Sequence, residues 1–598
     1  MWLNSGIYDL RSAISSFIHK AMINLGLNRI SRLLNLLAQR DRQLQYQPPW
    51  GAIHVAGTNG KGSVAAYLAA LLKRTGQVRT DEDIAHVEPV VRDDSDVTAS
   101  YAASKDGKGG IKVGRFTSPH FIDSWDCITI NDQAVSRHAF ERTNTKISQL
   151  AQQVEQQLID ESSIDDTHDQ HDSHDSIQQD VPSSTAGNRP SKEQILNDAR
   201  LTEFELLTAT AFDIFSNPDA GPCDIAVIEC GLGGRLDATN VLPTTTILVS
   251  IITRIGLDHL NMLGGNLQGI VREKCGILRR EVPVVIDADN DQNVLDMIHA
   301  EITNKFGERW VKEMTHEARS HDVQELIEMA NSQPESASPH NSTNNPTPQL
   351  LNLMSHQQSN LAIALKAYQI LQTRPLPSNL HFEPHSSPSP SLLEAVLNDS
   401  SKSYPGRLQW FQPGWLHGPP ASQFPRLNAS PILLDGAHNA QSAAVLRSCV
   451  DRALSSRPPS PAPSSEPNSL RPRTIWVISL SSTKPPSEIL STLINPATDS
   501  IVFTTFSTPV AGMPWVRPTP LDTLLSAAEE LELGGNVVGR VGGIGAALGV
   551  AEGLLEEWEN ERAVGRDGER PLVVVAGSLY LVSDFLRFLR DDARDMVS

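Results

Sequence analysis

The chain has 598 residues, with 50 Lys plus Arg against 70 Asp plus Glu, a formal charge of −20. So acidic a chain lacks the basic footprint that general nucleic-acid binding or docking on an anionic membrane requires. The length fits two to four domains with a large buried core. The five cysteines, Cys127, Cys223, Cys230, Cys275 and Cys449, form no CxxC pair. They indicate neither a disulfide framework nor a zinc site, and they fit a reducing compartment.

No apolar run reaches the roughly eighteen residues of a membrane span, and no secretory signal pattern is visible. The cytoplasm is the expected location. Arg11, Ser12, Ser15, Ser16 and Lys20, with few acids among them, keep a mitochondrial presequence open, and Met22 is an alternative start.

In chain order, Ile30, Leu33, Leu34 and Leu37 recur at helical spacing. Residues 52–56 (AIHVA) read as a buried strand, followed by a glycine-rich turn and an Ala/Leu-rich helix over 64–73. Strand, glycine turn and helix open a parallel α/β sheet. Residues 79–110 are polar and aperiodic and read as an inserted loop. Residues 160–195, dominated by Asp, His, Ser and Gln, read as a disordered insert, because such a composition buries too little apolar area to offset ordering entropy. Ile225–Ile228 reads as a strand ending at Glu229, and Ile247–Ile252 as another ending near Thr253. The stretches 332–348, 376–391 and 455–473, rich in Ser, Asn and Pro, read as further inserts at surface loops. A helix is expected over 355–371. Beyond residue 403 a second strand series begins, with 432–434, 475–478, 501–503 and 572–575, and with helices over 521–532 and 544–559. Two α/β domains follow, 22–402 and 403–598. No repeat of 20–50 residues is visible.

Gly57-Thr58-Asn59-Gly60-Lys61-Gly62-Ser63 lies between strand and helix. Glycines let backbone N–H groups turn toward a phosphate chain, and the helix N-terminus adds partial positive charge. Lys61 can reach the terminal phosphates and Ser63 can ligate Mg²⁺. The pattern departs from G-x-x-x-x-G-K-[ST], because Gly62 separates Lys61 from Ser63. An ordinary glycine-rich turn is the bland alternative.

Glu229 opens a second block, running to Asn240, at a strand's C-terminal end. There a carboxylate points into the crevice where α/β sheets bind ligands, and Mg²⁺ takes one or two such carboxylates. Within that block, Arg235 and Asp237 can equally form a structural ion pair. Gly256-Leu257-Asp258-His259 follows another strand and gives His259 a metal or phosphate role, although a lone His is usually structural. Arg272-Glu273-Lys274 reads, by itself, as an exposed helix face. Tyr404-Pro405-Gly406-Arg407 stands at the expected domain junction. Asp435-Gly436-Ala437-His438-Asn439 suits a polar ligand or an Asx-type turn with a helix N-cap. His168, His171 and His174 are spaced for weak metal binding, but a disordered acidic loop accounts for them better.

Together these motifs resemble the folylpolyglutamate synthase/dihydrofolate synthase family of Mur-ligase type. The match spans about residues 22–590. It also takes in Thr117-Ser118-Pro119-His120, Thr202-Glu203-Phe204-Glu205, Glu273-Lys274-Cys275-Gly276-Ile277, His356-Gln357-Gln358-Ser359-Asn360 and Gly577-Ser578-Leu579-Tyr580. Within the family the chain looks most like the fungal dihydrofolate synthases. Residues 125–131 (WDCITIN) stand where polyglutamate synthases show Arg-Glu-Arg before the Ile, residues 202–207 read TEFELL, and residues 512–515 read GMPW. Cys127 replaces a family Arg, which puts carry-over of folate contacts in doubt. Cys275 replaces a common Ala.

The resemblance implies an α/β fold, a P-loop-containing Mur-ligase-like ATPase domain followed by a smaller Rossmann-like ligase domain. It implies a ligase that uses ATP and Mg²⁺ to join L-glutamate to dihydropteroate through an acyl phosphate, with folylpolyglutamate synthase or a bifunctional enzyme as the alternative. It places nucleotide on Gly57, Thr58, Asn59, Gly60, Lys61, Gly62, Ser63, Asn360, Arg407 and Asp435. Metal falls on Ser63, Glu229 and His259, and the incoming glutamate on His438 and Ser578. Lys61, Glu229, His259, Lys274 and His438 are the implied catalytic set, and family members can carry a carbamylated lysine at the position matching Lys274. These contacts come from both expected domains, so the resemblance implies a cleft that closes on binding. The expected partners are these small molecules alone, without nucleic acid or membrane, on a monomer. A non-catalytic nucleotide-binding regulator is the competing class, and retention of Lys61, Glu229 and His259 argues against it.

Overall fold

A computed structural model describes residues 26–40, 45–78, 110–168, 192–217, 222–258, 260, 262–332, 353–374, 380–382, 388–417, 419–455, 473–482, 485–508, 510, 516–563 and 570–595. The expected site residue His259 lies outside these residues, as do His171, His174, the 512–515 stretch and residues 11–20 with Met22. Packing divides the chain into two units. The first comprises residues 1–118, 128–325 and 359–389, and the second residues 119–127, 326–358 and 390–598.

The first unit holds strands β1 (Gly51–Ala56), β2 (Gly76–Val78), β3 (Val113–Phe116), β4 (Ile128–Ile130), β5 (Gln133–Ala134), β6 (Ile225–Glu229), β7 (Ile247–Ile252), β8 (Val284–Asp287), β9 (Thr315–Ala318) and β10 (Leu380–Phe382). Its main sheet runs β5-β4-β3-β6-β1-β7-β8-β9. From β3 to β9 every pair is parallel, while β4 and β5 form an antiparallel edge. β1 is buried along its whole length, as expected for a central parallel strand covered on both faces. The chain leaves β1 for β3 on one side, then places β6 and β7 on its two flanks. That reversal makes the C-terminal end of β1 a topological switch point, where open α/β sheets bind ligands.

Several local devices hold this unit. The helix Asn28–Arg40 buries Ile30, Leu33, Leu34 and Leu37, the four residues that carried its period. Its Arg29 pairs with Glu205 at 3.2 Å, both side chains being nearly inaccessible. Glu205 also closes a capping box with Thr202 at the start of the helix Glu203–Ser216. Trp50 meets Phe212 and Phe215 edge-on.

The second unit holds β11 (Gln409–Phe411), β12 (Ile432–Leu434), β13 (Thr474–Ile478), β14 (Asp499–Phe503), β15 (Val537–Arg540) and β16 (Leu572–Ala576), ordered β11-β12-β16-β13-β14-β15. All neighbours are parallel except β11 with β12. Period-two alternation sends Trp476, Ile478, Ile501, Phe503, Leu572 and Val574 into one core and Ile475, Val477, Val502, Val573 and Val575 into another. The first core is covered by the helices Ala440–Ser455, Pro486–Leu493 and Leu521–Glu530. The second is covered by Ile544–Ala563 and Leu579–Asp595. Helices thus cover both faces, the doubly wound arrangement.

Two composition-based expectations change. A helix, Arg137–His168, runs well into the region expected to be a disordered insert from residue 160, and another helix occupies Lys192–Ala199. Two contacts support the first of them: Gln156 donates to Asp160, one turn on, at 2.7 Å, and Glu161 accepts from Arg32 of the helix Asn28–Arg40 at 2.6 Å. Residues 169–191 lie outside the described residues. Within the Ser/Pro-rich 376–391 stretch, β10 pairs with β2, so long-range hydrogen bonding overrides a loop-like composition there.

Candidate active site

The glycine-rich turn occupies the C-terminal end of β1, and the following helix spans Lys61–Thr75. Its first turn therefore contains Lys61, Gly62 and Ser63, whose backbone N–H groups have no partner one turn earlier in the helix. The turn is braced from β7. Thr58 and Asn59 donate their N–H groups to the Arg254 carbonyl at 2.8 and 3.1 Å, and the Thr253 hydroxyl donates to the Asn59 carbonyl at 2.7 Å. The Thr58 hydroxyl both donates to the Gly256 carbonyl and accepts the Gly256 N–H, each at 3.0 Å. These braces leave no room for side chains. A Cβ on Gly57 would lie 1.9 Å from the Thr253 hydroxyl, and one on Gly60, at φ 91°, would lie 2.3 Å from Asn360 Oδ1.

Asn360 thus reaches the turn from the helix Ser355–Thr373, some 300 residues away in sequence. The neighbouring Ser359 donates to Asp287 at 2.8 Å, which fixes that helix on β8.

Glu229 ends β6 with only 3% of its surface exposed. Its Oε1 lies 3.7 Å from Lys61 Nζ, and its Oε2 accepts the Ser118 N–H at 3.3 Å. Lys61 also donates to the Thr58 carbonyl at 3.3 Å. Lys274 is buried at 4% exposure, and its Nζ donates to the Gly57 carbonyl at 2.7 Å. Burial, then the Lys61 cation, pull its pKa down to about 7.

This corrects the reading of residues 272–274 as one exposed face. Arg272 is exposed beside Glu301, but Lys274 turns inward. The structural ion pair considered for Arg235 and Asp237 is also absent. Arg235 pairs with Glu273 at 2.8 Å. Asp237 instead accepts the N–H groups of Leu232 and Thr239 at 2.8 and 3.0 Å and caps a short 3-10 turn. A buried carboxylate is better satisfied by fixed amides than by a guanidinium that can stay in water.

In the second unit, Asp435 and His438 follow β12, and Ser578 follows the adjacent β16. Asp435 accepts the N–H groups of Leu408 and Ala437 at 2.7 and 2.8 Å. Burial raises its pKa to about 6 against the opposing pull of Arg407. Arg407 stacks over Tyr404, 5.4 Å from the ring centre, and donates to its hydroxyl at 3.3 Å. His438 Nδ1 donates to the Gly436 carbonyl at 2.8 Å, because a carbonyl oxygen can only accept. Asn439 caps the helix Ala440–Ser455 through the Ser442 N–H at 2.9 Å, the N-cap anticipated as the bland reading of this turn. The Ser578 hydroxyl accepts the Tyr580 N–H at 3.1 Å at the start of Leu579–Asp595.

The expected residues thus gather at the C-terminal strand ends of their own sheets. Residues 57–63, Glu229, Lys274 and Asn360 do so in the first unit, and Arg407, Asp435, His438 and Ser578 in the second. The sequence reading had given no role to Thr253 or to the Ser118 amide. Thr253 stands just past the end of β7, which flanks β1, and Ser118 just past β3, which neighbours β6, and that adjacency was the available signal.

Residues 424–588 match the family model described as dihydrofolate synthetase, C-terminal domain. A probable dihydrofolate synthetase of Schizosaccharomyces pombe is 29% identical over 576 residues, covering 95% of this chain and 99% of that protein. The dihydrofolate synthetase of Saccharomyces cerevisiae is 26% identical over 582 residues, covering 96% and 100%. Over nearly its whole length the chain is similar to members of the folylpolyglutamate synthase/dihydrofolate synthase family. It is an ATP-dependent ligase, as those similarities show. A solved folylpolyglutamate synthase of Mycobacterium tuberculosis, complexed with ADP, shares the fold. Its TM-score is 0.57 at 22% identity, over 96% of this chain and 98% of that one. Among the described residues, no helix is long and apolar enough to cross a membrane.

Proposed function

We propose that the chain is a dihydrofolate synthase, joining the α-amine of L-glutamate to the carboxyl group of 7,8-dihydropteroate with conversion of ATP to ADP and phosphate. The observation that carries the choice of substrate is the end-to-end similarity to two yeast dihydrofolate synthetases. The proposed division of labour is ATP binding within 22–402 and completion of the ligase site by 403–598.

A carboxylate is a poor electrophile at neutral pH, so it must first acquire a leaving group. The bond from the γ-phosphorus of ATP to its bridging oxygen breaks as a dihydropteroate oxygen bonds to that phosphorus, giving an acyl phosphate and ADP. The amides of residues 57–63 and the Lys61 ammonium hold the phosphates and stabilise the spreading charge. The glutamate amine then attacks the acyl carbon, the carbon–oxygen bond to phosphate breaks, and the nitrogen loses a proton.

The Glu229 carboxylate and the Ser63 hydroxyl are hard oxygen donors beside the phosphate-binding turn, a set that suits Mg²⁺, with His259 as a further ligand. When bound, Mg²⁺ neutralises phosphate charge. Asn360, Arg407 and Asp435 are assigned to the nucleotide. His438 and Ser578 are assigned to glutamate. Lys274, with a pKa near neutrality, keeps a fraction of free amine, the form that carbamylation requires.

The test is a product assay by mass spectrometry with ATP, Mg²⁺ and L-glutamate, in parallel with 7,8-dihydropteroate or tetrahydrofolate. One glutamate added to dihydropteroate, and none to tetrahydrofolate, is the expected result. Extension of tetrahydrofolate alone would make the chain a folylpolyglutamate synthase, and extension of both would make it bifunctional.

A further inference from the structure

At the opposite end of the first unit's sheet, a cavity of about 300 Å³ opens beside the start of β7. It is lined by Thr244, Thr245, Leu248, Arg280, Glu281, Leu371 and Arg374, among others. β7 runs parallel to β1, so this cavity and the phosphate-binding turn lie at opposite strand ends, on the order of 15–20 Å apart along a six-residue strand. Substrate crevices of such sheets form at the carboxyl ends, so the cavity lies away from the reaction.

Its walls combine two chemistries. Leu248 and Leu371 supply an apolar floor. Arg374 ties the walls together, donating to the Leu248 carbonyl at 3.3 Å and to the Glu281 carbonyl at 3.2 Å. A guanidinium has five N–H donors, so Arg374 retains capacity beyond these two bonds. Arg280 is exposed at the rim. Among the described residues, no carboxylate forms an ion pair with Arg280 or Arg374. Lys366 and Arg374 both act on the nearby His316, whose pKa is held below its ordinary value by burial and then by these two cations. Glu281, between the Arg280 rim and the cavity wall, has φ 67°, a left-handed conformation that is strained for a non-glycine residue. That strained turn presents Arg280 and the Glu281 carbonyl at one mouth.

We propose that this cavity is a second ligand site, distinct from the ATP turn. It takes a small organic anion, with a phosphate or carboxylate headgroup on the Arg280 and Arg374 guanidiniums and an apolar body on Leu248 and Leu371. Planar guanidiniums match such headgroups bidentately, and the floor discriminates against an anion with no apolar part. Among the described residues of the lining, Glu281 is the only acid, and it opposes the headgroup.

Calorimetric titration of the full chain with phenyl phosphate, and separately with inorganic phosphate, tests the proposal. Phenyl phosphate should bind saturably and more tightly than inorganic phosphate. Arg280→Gln should weaken it roughly tenfold, and Glu281→Gln should tighten it about threefold. Both side chains are exposed, so the variants should fold and keep ligase turnover. Lys61→Ala should leave phenyl phosphate binding unchanged, because that site is elsewhere. Absence of saturable binding would overturn the proposal. So would loss of binding in Lys61→Ala, which would place the ligand at the ATP turn, or equal affinity in the wild type and both rim variants. Turnover on dihydropteroate is read separately, so failure of the proposed reaction leaves this result interpretable.

Discussion

Lys274 Nζ donates to the Gly57 carbonyl at 2.7 Å, joining two residues 217 positions apart beneath the phosphate-binding turn. A lysine placed there is largely removed from water, and the Lys61 ammonium adds like-charge repulsion.

The first prediction is a pH dependence of stability. The folded-state pKa of Lys274, about 7, lies below the unfolded value of 10.5. Between those values the unfolded chain holds the proton and the folded chain does not, so stability rises with pH across that window. Relative to Lys274→Met, the wild type should gain on the order of 2 kcal/mol between pH 7 and 9. Urea unfolding of both proteins at the two pH values checks this, and parallel curves would disprove it.

Asp435 makes the opposite prediction. Its folded pKa, about 6, lies above the unfolded 3.8, because burial outweighs the Arg407 cation. Here the folded state holds the proton longer, so stability falls as pH rises from about 4 through 6. Against Asp435→Asn, the wild type should lose on the order of 2–3 kcal/mol over that range. The comparison rests on the slopes, since the amide also loses one of two acceptors for Leu408 and Ala437. Equal slopes would count against it.

Lys61 and Glu229 should separate in their metal response. Lys61→Ala should lower ligation by about 10²-fold or more at any Mg²⁺ concentration while thermal unfolding stays cooperative. Glu229→Gln should raise the Mg²⁺ needed for half-maximal turnover, or abolish activity. Mg²⁺ titrations of initial rate distinguish the two, and an unchanged Mg²⁺ dependence in Glu229→Gln would remove it from the metal site.

Gly60→Ala should weaken ADP binding and destabilise the first unit by about 1–3 kcal/mol. The new methyl group meets Asn360 Oδ1 at 2.3 Å at a φ of 91°. Asn360→Ala in the same chain should restore part of the stability by removing that obstacle but not restore nucleotide affinity. A double-mutant cycle with calorimetry checks both halves, and additive losses would show that the two residues do not meet.

Much of the site is legible in the sequence where its residues are contiguous. The strand, the glycine turn and the helix Lys61–Thr75 are local, and their glycines and periodicity record backbone requirements directly. Glu229 was legible because a carboxylate ending an apolar strand is conspicuous. Lys274 was not, since a charged trio looks the same on an exposed face as on one whose third member turns inward. Arg235 and Asp237 failed for a related reason. Neighbours in sequence with opposite charges suggest a pair, but each found a partner in the fold, Glu273 for one and backbone amides for the other. The helix reaching His168 shows that an acidic composition leaves secondary structure undecided where pairing across the helix surface supports it.

The sequence by itself determined the strand–turn–helix elements and the residue types at the strand ends, because these depend on short-range backbone geometry and alternation of burial. Only the tertiary structure decided which distant groups meet: Asn360 against Gly60, Lys274 under Gly57, the Ser118 amide on Glu229. Those contacts arise from parallel strand order and helix packing, which bring residues hundreds of positions apart to one sheet edge. The pKa values of Lys274 and Asp435 come from the burial that this packing imposes.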